Sequence, residues 1–145
     1  MTDITETSQS RPLALVTGAS SGIGLELAKQ FADNGFDLLI VAEGPALAAV
    51  ADQLTSYGGR VRAVRADLRT FEGVEEVYSA VSADGRPLAA AALNAGVGRG
   101  GAFVDIDLAD EIEIIDLNIT STVHIAKRIL RDMAGRGEGR VLITS

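Results

Sequence analysis

Thr17-Gly18-Ala19-Ser20-Ser21-Gly22-Ile23-Gly24 is the stretch that decides how this chain folds. Before it runs Leu13-Ala14-Leu15-Val16, an apolar segment with the length and β-branched end of a buried strand. After it comes Leu25-Glu26-Leu27-Ala28-Lys29-Gln30-Phe31, in which Ile23, Leu27 and Phe31 recur every four residues, as on one helix face. The order is strand, glycine-rich turn, helix. Such a helix start offers free N–H groups and a partial positive charge to a phosphate. Glycine serves twice there. The turn needs backbone angles that a Cβ forbids, and a side chain would hold a pyrophosphate away from the amides.

Composition narrows the class. With 145 residues, 47% of them hydrophobic, the chain can bury one real core. Aromatics are only 4% and Trp is absent, which suits small-residue helices packed closely on a parallel sheet. The net charge of −7 provides no basic face for nucleic acid. With no Cys there is neither a disulfide framework nor a thiolate metal site, as a cytoplasmic protein allows. Residues 1–10 read as a loose tail without signal-peptide character, and no apolar run reaches membrane-spanning length. Residues 11–145 read as one domain.

Outward from the first turn, Asn34-Gly35 should end the first helix with glycine as its left-handed cap. Asp37–Val41 reads as the second strand, and Glu43 follows it, 19 residues beyond Gly24. An acidic residue at about that distance hydrogen-bonds the adenosine ribose in dinucleotide-binding folds and would repel a 2′-phosphate. Glu43 is therefore either a ribose ligand or a solvated loop charge. Pro45 fits the first turn of a helix with Leu47, Val50 and Leu54 inward. Val61–Ala66 alternates apolar and basic residues, as in a strand near a sheet edge. Thr70 can cap a helix that turns Val74, Val77 and Val81 to one side. Leu88–Leu93 is apolar throughout, and the topology makes it a central strand despite its alanines. The acidic residues from Asp105 to Asp116 lack a calcium-loop pattern and read as the solvated face of a helix starting near Asp107. No metal site is expected. A further helix should begin at Leu117-Asn118-Ile119-Thr120 and carry His124 as a packing or surface residue. Val123, Ala126, Leu130 and Met133 form one stripe on it, with Ile125 and Ile129 beside them. Arg140–Thr144 is the fifth strand. The whole is a doubly wound Rossmann-type α/β domain, five parallel strands in the order 3-2-1-4-5 with helices on both faces.

The T-G-x-x-x-G-x-G pattern of residues 17–24, with Asn94-Ala95-Gly96 at the end of the fourth strand, resembles the short-chain dehydrogenase/reductase family. Leu93 stands where that family's N-N-A-G motif has its first Asn. The resemblance covers essentially all of residues 11–145. It implies a nicotinamide dinucleotide, NAD or NADP, held by Gly18, Ser20, Ser21, Gly22, Ile23, Gly24, Glu43, Asp67, Leu68, Asn94, Ala95 and Gly96. Asp67 would take the adenine amino group, and Asn94 and Gly96 would lie near the nicotinamide ribose. Glu43 tilts the choice toward NAD, although the family's NAD-selecting acid usually sits where Ala42 lies. NADP relatives often carry Arg at the position of Glu43 and a basic residue at that of Ser20.

The implied reaction is hydride transfer between nicotinamide and a carbonyl or alcohol carbon. Of the family's catalytic set, Asn118 aligns with the Asn that holds a water and orients a Lys, and Ser145 with the Ser that bonds the substrate oxygen. The family's acid/base lies in a Tyr-x-x-x-Lys motif about a dozen residues past the fifth strand. Neither Tyr57 nor Tyr78 begins such a motif, and Lys29 and Lys127 are the only lysines. The expectation is therefore the N-terminal portion of a dehydrogenase, or else a non-catalytic dinucleotide-binding or regulatory module. A purely structural protein fits the glycine loop less well. Self-association is expected, through the 117–134 helix or the 140–144 edge strand.

Overall fold

In the computed structural model, which describes residues 10–145, the chain alternates strands and helices. The first half runs β1 (Leu13–Thr17), α1 (Gly22–Asp33), β2 (Asp37–Ala42), α2 (Leu47–Thr55), β3 (Val61–Arg65) and α3 (Phe71–Asp84). Then come β4 (Leu88–Leu93), α4 (Leu108–Ile115), α5 (Ser121–Arg136) and β5 (Arg140–Ile143). The sheet is parallel throughout, in the order β3-β2-β1-β4-β5. Residues 1–9, most of the expected tail, lie outside the described residues.

Strand side chains alternate between two cores, as the period-2 geometry of strands requires. Leu15, Leu39, Val41, Ala91 and Leu93 face Val74, Val77 and Val81 of α3 and Ile125, Ile129 and Met133 of α5. Ala14, Val16, Leu38, Ile40, Ala90 and Ala92 face α1 and α2 on the other side. The inward residues of α2, Leu47, Val50 and Leu54, are those expected. On α1 the buried face is instead Gly24, Ala28 and Ala32. Ile23 is 65% exposed, and Leu27 and Phe31 only flank the core. Small residues win this face because the helix start comes so close to the Gly18 carbonyl that a Cβ on Gly24 would clash.

Three local readings shift by a turn or less. Pro45 precedes α2, which begins at Leu47, so Tyr57 falls beyond its end. On α5 the core stripe is Ile125, Ile129 and Met133, leaving Val123 and Leu130 exposed. There is also no break at Leu117: α4 runs into α5 through a π-helical turn over Asp116–Thr120, because Ile115, Asp116, Thr120 and Ser121 all keep helical angles.

Other expectations hold. Phe36 N–H donates to the Phe31 carbonyl and Gly35 N–H to that of Ala32, around a left-handed Gly35, closing α1 as a Schellman motif. Thr70 Oγ1 accepts from Gly73 N–H at 3.0 Å and caps α3. His124 stacks on Phe71 and places Nε2 2.6 Å from Glu75 Oε1, stitching α5 to α3.

The strand N-termini are tied by Asp37, which is 3% exposed. Its Oδ1 accepts from Arg60 N–H at 2.8 Å and its Oδ2 from Arg86 Nη1 at 2.7 Å. Arg86 Nη1 also donates to the Arg11 carbonyl at 2.9 Å, so one guanidinium joins the entrances of β1 and β2. Burial pushes the Asp37 carboxyl up, but the Arg60 amide and the Arg86 guanidinium outweigh it and hold it below its ordinary value. A depressed carboxyl stabilises the fold above its ordinary pKa of 3.8, and that contribution is lost as pH falls through the lower folded value. Asp37→Asn should therefore cost about 2–4 kcal/mol at neutral pH. Urea unfolding curves should show the difference between mutant and parent shrinking below about pH 4; a constant difference down to pH 2 would contradict this account.

Candidate functional site

The C-terminal ends of β1, β2, β3 and β4 surround one cleft of about 550 Å³. It opens where the sheet reverses direction of growth: β1 has β2 on one side and β4 on the other. In open α/β sheets that switch point is where two loops part and leave a crevice.

The floor of the cleft is a close approach between backbones. A Cβ on Gly24 would lie 2.0 Å from the Gly18 carbonyl oxygen and 2.5 Å from Asn94 Nδ2. One on Gly18 would lie 2.9 Å from Ala95 Cα. These two glycines let the start of α1 come down on the chain leaving β1 and β4. Gly22 differs. Its φ is +55°, and nothing lies within 4 Å of where a Cβ would stand, so the turn demands glycine by angle and the space beside it is open.

The start of α1 is bare. Ser21, its N-cap residue, makes no side-chain capping bond, and the first turn has no acidic residue. The first intrahelical bond runs from Leu25 N–H to the Ser21 carbonyl at 3.2 Å. The N–H groups ahead of it point out of the helix end, where Ser20, Ser21 and Ile23 line the cleft. An anion is the partner that such an end favours.

Thr17 holds the two central loops together. Its buried hydroxyl accepts from Asn94 N–H at 3.0 Å and from Ala95 N–H at 3.1 Å. Asn94 then spans three strands' ends: Nδ2 donates to the Gly18 carbonyl at 3.3 Å and Oδ1 accepts from the Thr144 hydroxyl at 2.8 Å. Thr17 lay in the opening motif, yet nothing in the local sequence distinguishes its hydroxyl as a cross-strand acceptor.

Asn118 sits in the π-helical turn and grips the loop after β4 from both sides. Its Nδ2 donates to the Val97 carbonyl and its Oδ1 accepts from Val97 N–H, each at 2.8 Å. Gly96 lies beneath, where a Cβ would be 3.2 Å from Asn118 Oδ1. Ser121 Oγ and Thr122 Oγ1 bond back to the carbonyls of Leu117 and Asn118, at 2.5 and 3.1 Å, within the same turn. Ser145 is exposed, one residue past Thr144, and is not among the residues lining the cleft. Tyr78 is engaged elsewhere, donating its hydroxyl to Asp132 at 2.7 Å, a bond that pushes its pKa up.

The rim beyond β2 and β3 is charged. Glu43, Asp67 and Leu68 line it as expected, and Arg69 and Arg99 join them. Arg69 donates to Asp67, Glu43 and Glu113. Its guanidinium holds the Asp67 carboxyl below the ordinary carboxylate range, against the opposing effect of burial. Sequence pattern gives little hint of Arg69, because beyond the nearby Asp67 its partners Glu43 and Glu113 come from a distant loop and helix.

The cleft fits a dinucleotide by its own features: a bare helix start for a diphosphate, with Gly18, Ser20, Ser21 and Ile23 on its lining though not Gly22 or Gly24, and carboxylates at the far rim for hydroxyl or amino donors. Comparison with known proteins agrees with that fit. The sequence model of the family described as short chain dehydrogenase matches residues 12–145. The oxidoreductase UcpA of Salmonella typhimurium is 38% identical over 133 residues, which is 91% of this chain and 50% of that protein. The 3-oxoacyl-[acyl-carrier-protein] reductase FabG of Aquifex aeolicus is 31% identical, over 90% of this chain and 53% of its own. Among solved structures, a short-chain dehydrogenase from Sphingobium yanoikuyae in complex with NADPH superposes with a TM-score of 0.85 at 33% identity, covering 91% of this chain and 52% of that one. L-sorbose reductase from Gluconobacter frateurii, complexed with NADPH and L-sorbose, gives 0.86 at 30% identity, covering 92% and 52%. The chain spans about half the length of the relatives it matches.

Thr17→Val tests the floor of the cleft. It keeps the shape and removes the acceptor for two inward N–H groups, so it should cost about 2–4 kcal/mol. Chemical denaturation measures that loss, and hydrogen exchange should quicken first at Asn94 and Ala95.

Proposed function

From the premise that the chain belongs to the short-chain dehydrogenase family, we propose that it binds NAD or NADP along the strand tips. We further propose that the whole protein transfers hydride between the nicotinamide and a carbonyl or alcohol carbon. The bare, glycine-cleared start of α1 opening into the cleft carries this reading. When bound, the dinucleotide supplies the hydride donor or acceptor. The chain's own residues supply the rest. The N–H groups at the start of α1 hold the diphosphate, with Gly18 and Gly24 keeping the floor low. Glu43 accepts from the ribose hydroxyls and tilts the choice toward NAD. Asp67 accepts from the adenine amino group. Asn94, Ala95 and Gly96, fixed by Thr17 and Asn118, form the wall beside the nicotinamide ribose. Asn118 and Ser145 belong to the catalytic set by position.

A second reading is favoured by the tyrosines. Tyr78 is engaged by Asp132 between α3 and α5, and Tyr57 lies past α2, so neither serves the cleft as acid or base. The 145-residue polypeptide on its own should thus bind the dinucleotide without turning it over. The exposed Val123, Leu130, Leu142 and Ile143 should make it self-associate through α5 or the β5 edge.

Titration of the chain with NAD and with NADP by calorimetry tests the site. Gly22→Val places a branched side chain at a positive φ and in the open position, and should weaken binding about tenfold or more while the far-ultraviolet dichroism stays folded. Undiminished affinity would displace the site from the helix start. NAD(P)H-linked turnover of ketones or alcohols by the purified chain would sink the non-catalytic reading. Light scattering at rising concentration should show mass above the monomer's.

A further inference from the structure

Arg69 is the residue at the cleft that neither the glycine motif nor the strand-end Asn accounts for. Its side chain reaches across the mouth between β2 and β3. Nε donates to Asp67 Oδ1 at 2.8 Å and Nη2 to Asp67 Oδ2 at 3.1 Å. Nη2 also meets both Glu43 oxygens, at 2.9 and 3.1 Å, and Nη1 reaches Glu113 Oε1 at 3.3 Å. A guanidinium has five N–H donors in one plane. One on Nε, both on Nη2 and one on Nη1 are therefore committed to carboxylates, leaving a single donor on Nη1.

Two consequences follow from charge and geometry. Glu43 and Asp67 both border the cleft, and the shared guanidinium offsets the repulsion between the two carboxylates. Glu43 nevertheless remains 62% exposed, so its oxygens keep lone pairs turned away from Arg69 and open to a ligand. The second cation at the rim, Arg99, is likewise engaged, by Glu113 at 3.3 Å and Asp110 at 3.5 Å. Arg65, whose Nε donates to the Glu43 carbonyl at 3.1 Å, stands beside Glu43 and Asp67, so Glu43, Asp67, Glu113 and Asp110 are set against three guanidiniums. A ribose diol, which donates, finds acceptors on Glu43, whereas a 2′-phosphate, a dianion near neutral pH, meets the Glu43 carboxylate itself as like charge.

We propose that Arg69 is a positioning residue of the adenosine site, which clamps Glu43 and Asp67 into one fixed acceptor face and thereby makes the site select NAD over NADP. The inference rests on the reading of Glu43 as the ribose ligand. Arg69 acts through the two carboxylates and donates to no part of the dinucleotide.

The experiment is a double-mutant cycle read by calorimetric titration of the full chain with NAD and NADP. The parent should bind NAD about tenfold more tightly than NADP. Arg69→Met, of similar length and no charge, should weaken NAD about five- to tenfold, and in a Glu43→Gln background the same change should cost about twofold or less. Arg69→Lys should restore only part of the loss, because a point charge cannot hold two carboxylates in fixed planes; it runs the same cycle if Arg69→Met melts below the titration temperature. Unchanged NAD affinity with weakened NADP in Arg69→Met would make Arg69 a phosphate ligand and overturn the proposal. So would an equal loss in both backgrounds. A parent that binds NADP as tightly as NAD would instead sink the reading of Glu43 on which the proposal rests, a failure visible before any substitution is made.

Discussion

The close approach of the first turn of α1 to the seam between the loops leaving β1 and β4 is the constraint on which the site depends. It exists because Gly24 has no side chain: the Gly18 carbonyl and the Asn94 amide occupy the space a Cβ would fill. Thr17 fixes the other side of the seam by accepting from two consecutive N–H groups of the chain leaving β4. Asn94 and Ala95 are half-buried around the buried Thr17 hydroxyl, so loosening the seam would lose both bonds and leave that hydroxyl without its donors. The seam is therefore held by backbone sterics and satisfied donors, while Val16, Leu38, Ile40, Leu47 and Leu54 supply the bulk of the core on that face.

The two edges of the sheet are treated differently. At the strand N-termini, Asp37 is enclosed and matched by Arg60 and Arg86, a closed arrangement in which the carboxylate's bonds are internal. At the C-termini, Arg69 bridges carboxylates that remain partly open to solvent. Both ion-pair clusters border clefts, but the Asp37 side chain is nearly enclosed, whereas those of Glu43 and Asp67 stay partly open and can still accept from a ligand.

Much of this architecture is legible in the residues themselves. The strand–glycine turn–helix order, the valine face of α3, the Thr70 cap and the edge character of Val61–Arg65 follow from period and turn chemistry, which are local properties. What is not legible is non-local. The buried face of α1 runs through Gly24, Ala28 and Ala32, and periodicity of large apolar residues points one position away from it. Small residues give weak hydrophobic signal even where proximity matters most. The π-helical turn at Asp116–Thr120 is similarly silent, because its reason is the grip of Asn118 on Val97, 21 residues back along the chain. Arg69 is hidden in part for the same cause: Asp67 is two residues away, but Glu43 and Glu113 are 26 and 44 residues distant.

Taken together, these features give the cleft a direction. Its central part, at the start of α1, carries the positive end of a helix and uncapped N–H groups, so it favours negative charge. Its outer part, beyond β2 and β3, carries more carboxylates than guanidiniums and favours donors. Its inner part, beside Asn94 and Gly96, is neutral and is stiffened by Thr17 and Asn118. A molecule with a diphosphate at its middle can set that group at the helix start while one end meets the carboxylates of the rim and the other the wall stiffened by Thr17 and Asn118. A side chain that alters the rim's balance acts on the outer end without touching the helix start.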